Sequence, residues 1–404
     1  MSLPADDTLR RIVIVFGAAF GDEGKGLTVA EIAKLIKATL TVRFNGGATA
    51  GHSVWRKRKN GRIEKHVYQQ FGSSTFEHAS TYLSKFFRFK PYDFIGELTE
   101  LKELGFNDKV TQRVMLDQRA VVTTPYHTAH SQMMGPIHNR GTCGVGSGES
   151  WRYSLVHPES TIYGADLLDE ALMRSKLRMQ AEYYKEASPL GYITQKANAV
   201  EEIADFMAWV GSMIKIVGED DWLRMRDEHK AIVMEGSQGY WISVNSPFAP
   251  YVTSSDTSPR QAREMINGYT GNVSTVACVN MYTSRHGPGP LPTEDPKLFE
   301  IFKAYAHEGQ WNGVSRYGWF DSYLTAKCLQ EVGCIDYMAV SHLDHFNDLD
   351  RWRMALNYRN KKGDPVYRSF KRLDSYLKCM AEQVGHEINI VGRNPYEREF
   401  INFK

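Results

Sequence analysis

The chain has 404 residues, 42% of them hydrophobic and 24% charged, so it can bury a large core without disulfides or a structural metal. Lysine plus arginine (49) nearly cancels aspartate plus glutamate (47), which argues against nucleic-acid or membrane-surface binding and makes any phosphate recognition local. The five cysteines (143, 278, 328, 334 and 379) are scattered, without C-x-x-C or metal-ligand spacing, and suit a reducing cytoplasm. Residues 1–11 are polar and lead into only a short apolar run, which reads as neither signal peptide nor anchor, and no stretch approaches the roughly 20 apolar residues of a membrane span.

In chain order, the β-branched run Arg11–Gly17 predicts a buried strand feeding a tight turn. A glycine-rich loop follows, then a helix over 27–38 from the spacing of Val29, Ile32 and Ile36, then a short strand over 39–44. This opening β-loop-α-β unit favours a parallel sheet. Long amphipathic helices are expected over 165–187 and 199–217, and further core strands over 232–235, 275–280 and 337–340. No repeat or Pro/Ser linker marks a boundary. The expectation is an α/β fold: one large domain over 1–404, built on a mostly parallel central sheet with helical insertions, with ligands outside the carboxyl ends of the strands.

The loop Gly21-Asp22-Glu23-Gly24-Lys25-Gly26 has the makings of a phosphate cradle. Glycines let backbone N–H groups approach oxyanions, the helix N-terminus adds positive potential, and Lys25 neutralises phosphate charge. It is not the usual G-x-x-x-x-G-K-[ST] loop, because Ala19 stands at the first glycine and Gly26 at the hydroxyl position. Asp22 and Glu23 beside such a lysine suggest a magnesium ligand or a proton acceptor; the alternative is that they only complement the helix dipole.

Taken with Arg43 to His52 (RFNGGATAGH), this loop resembles the adenylosuccinate synthetase family. Later segments agree in order: Thr124-Pro125-Tyr126-His127, Gly141-Thr142-Cys143-Gly144, Glu235-Gly236-Ser237-Gln238-Gly239, Pro250 to Ser255, Gly287 to Glu294, and Gly318-Trp319-Phe320-Asp321. The resemblance implies a ligase that joins L-aspartate to C6 of a 6-oxopurine nucleotide such as IMP, through a 6-phosphoryl intermediate, with GTP or ATP and Mg2+, as a cytoplasmic homodimer. It further implies Asp22 as the base and a magnesium ligand, the Gly51 carbonyl on the same metal, His52 as the acid at the transferring phosphoryl group, and Lys25 on the triphosphate. Gly21, Glu23, Gly24 and Gly26 would line the phosphates. Thr49, Thr142, Cys143, Gln238 and Thr253 would contact the purine nucleotide, and Asp344 the base of the triphosphate.

The pattern also departs from the family. Its amino-acid loop carries several arginines, because guanidinium forks hold both carboxylates of aspartate. Here Gln310 to Trp319 is shortened by a residue and keeps only Arg316 of those arginines, which leaves Gly313 and Arg316 as the candidate contacts to the amino acid. His342 replaces a lysine before Asp344, and Thr49, Cys143 and Asp256 are also unusual. These changes keep open a (d)GMP acceptor, a different amino-acid donor, and a nucleotide-binding regulatory homologue without turnover.

Overall fold

Ile12, Val13, Ile14, Val15 and Phe16 are all inaccessible to solvent, because the strand they form, Arg11–Gly17, is covered on both faces. This is the signature of a parallel strand at the heart of an α/β sheet. The computed structural model describes residues 10–58, 60–138, 141–187, 199–306, 308–359 and 363–403. On one face Val13 and Val15 pack against Val29, Ile32 and Ala33 of the helix Lys25–Ile36. On the other, Ile12 and Ile14 meet Leu40, Trp222 and Met265.

The central sheet has ten strands, in the spatial order 399–400, 388–391, 337–341, 272–280, 11–17, 231–239, 40–43, 80–83, 114–117 and 215–217. Every pairing in it is parallel except the edge pair of 388–391 with 399–400. The turns after Gly17, Arg43, Gly239, Asn280 and Ser341 therefore leave the same edge of the sheet, as expected for a site built from strand ends. A second sheet of 282–285, 316–321, 352–359 and 364–370 stands beside that edge. The helices Ser147–Val156, Glu170–Ala187 and Val200–Met213 share a separate aromatic-rich core with Phe87, Phe89 and Phe94.

Two expected helices differ in extent. The region from 165 opens as a 3-10 turn, Gly164–Leu168, and the α-helix runs Glu170–Ala187, because Gly164 lies so close to the Asp117 carbonyl that the chain must turn there first. The second helix ends at Met213, and Lys215–Val217 pairs instead with Met115–Asp117 at the sheet edge, where the run Ile214 to Val217 suits a strand.

Ile14→Ala removes buried methylenes at the sheet centre, and the protein should lose about 2–5 kcal/mol of unfolding free energy. Urea titration checks this; a loss under about 1 kcal/mol would mean the centre repacks.

Candidate active site

The loop after the central strand is braced from inside. Glu23 Oε1 accepts N–H bonds from Ala19 (3.1 Å) and Gly21 (2.8 Å), and Oε2 receives the Lys25 ammonium at 2.5 Å. The side chains of this pair are 0% and 3% exposed. Glu23, one of the residues expected to line the phosphates, holds the loop in shape with its carboxylate. Lys25 is spent on Glu23, so a phosphate at this position must compete for the ammonium. Gly24 starts the helix at φ 71°, and a Cβ there would collide with Ser341 Oγ and Arg398 Nη2. Gly26 has to be glycine because the Cβ of His52 would lie 2.8 Å from any added Cβ.

Asp22 takes the left-handed conformation (φ 60°), a costly one for a residue with a Cβ, and its carbonyl is held by Asn280 Nδ2 at 2.5 Å. Its side chain is 50% exposed and its carboxylate is bonded to His286 Nε2. Burial of the loop works to raise this carboxyl, but the His286 bond and the charges of His286 and Lys25 hold it below the usual aspartate value. Burial likewise opposes charge on His286, and the Asp22 carboxylate outweighs it and raises that ring.

His52 is 6% exposed, with Nδ1 on Glu235 Oε1. Glu235 also accepts from the Ser73 N–H at 2.9 Å and the Ser73 hydroxyl at 2.5 Å. Burial pushes the ring down to about 4 in spite of Glu235, while Arg43 and His52 hold the buried Glu235 carboxyl below its ordinary value. The other ring nitrogen, Nε2, is buried with no hydrogen-bond partner among the described residues. This is the constellation of an imidazole oriented by a carboxylate with one nitrogen left for chemistry.

Around this centre the parallel strand ends bring the other expected residues. Gln238 is also left-handed (φ 63°), with a buried, unpartnered Oε1. Its neighbour Gly239 lies against the Ala19 carbonyl, where a Cβ would come within 2.5 Å. Asn45 ties the strand ends together, accepting from Ser237 N and donating to the Asp256 carbonyl, each at 2.7 Å. The Asp256 carboxylate is consumed by Ser258 N (3.0 Å) and Arg260 Nε (2.7 Å), so that substitution serves a turn. Thr49 and Thr253 are half-buried, and the Thr253 N–H bonds the Ile242 carbonyl at 2.8 Å. Gly51 is exposed.

Thr142 and Cys143 come in from the helical side. Thr142 Oγ1 accepts from Gly144 N at 3.1 Å, Cys143 Sγ accepts from Asn312 Nδ2 at 3.8 Å, and Trp311 covers Gly144. Expected nucleotide and amino-acid loops thus touch. In the latter, Gly313 (φ 74°) is exposed, while both terminal nitrogens of Arg316 are engaged, Nη1 on Glu294 (2.7 Å) and Nη2 on the carbonyls of Gly287 (3.0 Å) and Gly289 (2.6 Å), and its buried Nε has no partner among the described residues. Asp344 is exposed on the turn after strand 337–341, beside His342, which burial pushes down to about 3 and so keeps neutral.

Sequence reasoning missed three members of this site. Glu235 was inside a quoted motif without a role; His286 and Arg398 carried no local signal. Arg398 reaches from the C-terminal region to Thr28 Oγ1 (3.2 Å), Ser341 Oγ (3.1 Å) and the Gly24 carbonyl (3.3 Å).

Glu235→Gln should lower turnover about 10- to 100-fold while leaving nucleotide affinity nearly unchanged, since the His52 ring loses its charged acceptor. Because the folded ring is harder to protonate than the unfolded one, its charging costs stability as pH falls from 6.5 towards about 4 and costs nothing above that window. Melting temperature followed from pH 7 to 4 checks the sign; a His52→Gln variant should lose less stability across it.

Residues 14–382 match the family model described as adenylosuccinate synthetase. The adenylosuccinate synthetase of Oleidesulfovibrio alaskensis is 29% identical over 362 residues, 86% of this chain and 81% of that one. That of Finegoldia magna is 25% identical, with 96% of each chain covered. Among solved structures, the fully ligated adenylosuccinate synthetase of Plasmodium falciparum superposes with a TM-score of 0.80 at 19% identity, covering 97% of this chain and 99% of the other. The succinoaminodeoxyadenylate synthetase of cyanophage S-2L, bound to dGMP and dATP as an energy donor, gives 0.65 at 13% identity, covering 98% and 96%.

Proposed function

Because the chain belongs to the adenylosuccinate synthetase family, we propose that it is a ligase joining L-aspartate to C6 of a 6-oxopurine nucleotide, IMP first, driven by GTP or ATP. The observation that carries this is the pair of reactive groups flanking one glycine loop: an ionised, half-exposed Asp22 and a buried His52 with one unpartnered nitrogen. An amide-like O6 is a poor leaving group. Asp22 takes the N1 proton, O6 attacks the γ-phosphorus, and the nucleoside diphosphate leaves. The amine then attacks C6 and inorganic phosphate departs with O6.

As charge builds on the transferring phosphoryl oxygens the neutral His52 ring takes up a proton at Nε2 from solvent and hydrogen-bonds those oxygens with it, and Glu235 steadies the imidazolium so formed. The Asp22 carboxylate and the exposed Gly51 carbonyl are hard oxygen donors of the kind magnesium takes, and the two would hold it. When bound, that ion supplies neutralising charge to the phosphates. Asp344 offers acceptor oxygens to a guanine N–H edge, which favours GTP over ATP.

A second reading has one observation in its favour. With both terminal nitrogens of Arg316 bonded to Glu294 and two carbonyls and only its buried Nε unpartnered, the 310–316 loop offers no open guanidinium fork to a dicarboxylate. This favours an amino-acid donor other than aspartate, and a (d)GMP acceptor is its companion alternative. Leu155 and Val156 (66% and 58% exposed) end the helix that also carries Arg152, which supports a homodimer through that face. None of the helices among the described residues is long and apolar enough to cross a membrane, and a cytoplasmic location fits that chemistry.

Asp22→Ala should abolish phosphate release from IMP, GTP and aspartate while calorimetry still detects nucleotide binding; undiminished release would eliminate Asp22 as the base. Running wild-type enzyme against IMP, GMP and dGMP with a panel of amino acids decides the donor. Release that ignores aspartate but responds to another amine would overturn the first reading in favour of the second.

A further inference from the structure

Strands 282–285 and 316–321 pair antiparallel with Arg285 opposite Arg316. The next residue outward on each, His286 and Ser315, must therefore face one another, and Ser315 Oγ lies 3.3 Å from His286 Nδ1. The other ring nitrogen, Nε2, is bonded to Asp22 Oδ2. An ionised carboxylate can only accept, so Nε2 carries the hydrogen and donates it. A single imidazole thus touches both the proposed base and the loop expected to seat the amine donor.

We propose that His286 is a positioning residue that registers the Asp22 carboxylate against the amino-acid loop. It occupies Oδ2, leaves Oδ1 for the purine edge, and takes its own orientation from Ser315. The inference rests on the reading of Asp22 as the base. It explains how a half-exposed aspartate in a left-handed turn is held in one rotamer: its carbonyl is fixed by Asn280, and among the described residues no side chain except His286 bonds its carboxylate. The order serine, histidine, aspartate also invites comparison with a nucleophilic triad. Ser315 is only 3% exposed and its hydroxyl is turned to the ring nitrogen, so it serves the imidazole.

The test separates the phosphoryl step from amine capture. Positional isotope exchange in γ-labelled GTP, measured with IMP and without aspartate, reads formation of the 6-phosphoryl species; steady-state kinetics with aspartate read the rest. His286→Ala should slow exchange and kcat together by about 10- to 100-fold with IMP affinity unchanged, the size expected for losing one bond to a charged group. His286→Gln, whose amide can still donate to Oδ2, should recover most of that loss. Ser315→Ala should raise the aspartate KM more than it slows exchange. Exchange within twofold of wild type in His286→Ala, or a glutamine variant no better than alanine despite an unchanged melting temperature, overturns the proposal. Should His286→Ala fail to fold, the glutamine and Ser315→Ala variants decide it by the same criteria. Asp22→Asn tells the two readings apart: surviving exchange there means the base itself was misassigned, whereas dead exchange there with an unaffected His286→Ala sinks only the present inference.

Discussion

A loop that offers its N–H groups to an anion cannot spend all of them on its own stability, yet it must keep its shape. Glu23 resolves this conflict by folding under the loop, taking the N–H groups of Ala19 and Gly21 and the Lys25 ammonium into a pair almost wholly removed from water. Such a pair is weak evidence for stability as a whole, but removing one partner strands a buried charge at a cost of about 3–5 kcal/mol. The pair dictates its neighbours: a Cβ on Gly17 would collide with the Glu23 carboxylate, and Gly239 must be bare where the loop passes over it. Every other group in the site takes its place relative to that loop.

Parallel pairing does the rest of the assembly. Since strands 11–17, 40–43, 231–239, 272–280 and 337–341 all run the same way, the segments after them converge on one edge without any segment crossing the sheet. The ionisable groups that arrive there are paired before any substrate does: His52 with Glu235, Asp22 with His286, Lys25 with Glu23. In the first two of these pairs the partner helps to keep the carboxylate ionised, and in the first the ring retains one unpartnered nitrogen. Asp22 and Glu235 are both held low, and burial keeps His52 neutral.

Much of this was legible in the chain, for identifiable reasons. The central strand announces itself through an unbroken β-branched run and the glycines of 21–26 mark a close approach of backbone, so the loop could be named from local pattern, whereas Asp22, His52 and Gln238 were assigned roles through the family resemblance. What was not legible depends on pairing between distant segments. His286 meets Ser315 because of a strand register, Glu235 meets His52 across two strand ends, and no periodicity encodes either. The bracing of the loop by the Glu23 carboxylate was not legible either, because burial of an acid in a glycine-rich loop shows only in the fold. The 214–217 segment was absorbed into a helix since three residues are too few to show alternation.

The hold that Arg398 keeps on Gly24, Thr28 and Ser341 has a consequence for biogenesis. As the ribosome delivers the chain, the opening strand, its glycines and both reactive side chains emerge early, but the clamp over the first helical turn arrives only with residue 398. Contacts so far apart along the polymer are slow to close. A nascent chain therefore carries an unclamped glycine loop through most of its synthesis, and the loop's final form is acquired at a late moment rather than by degrees.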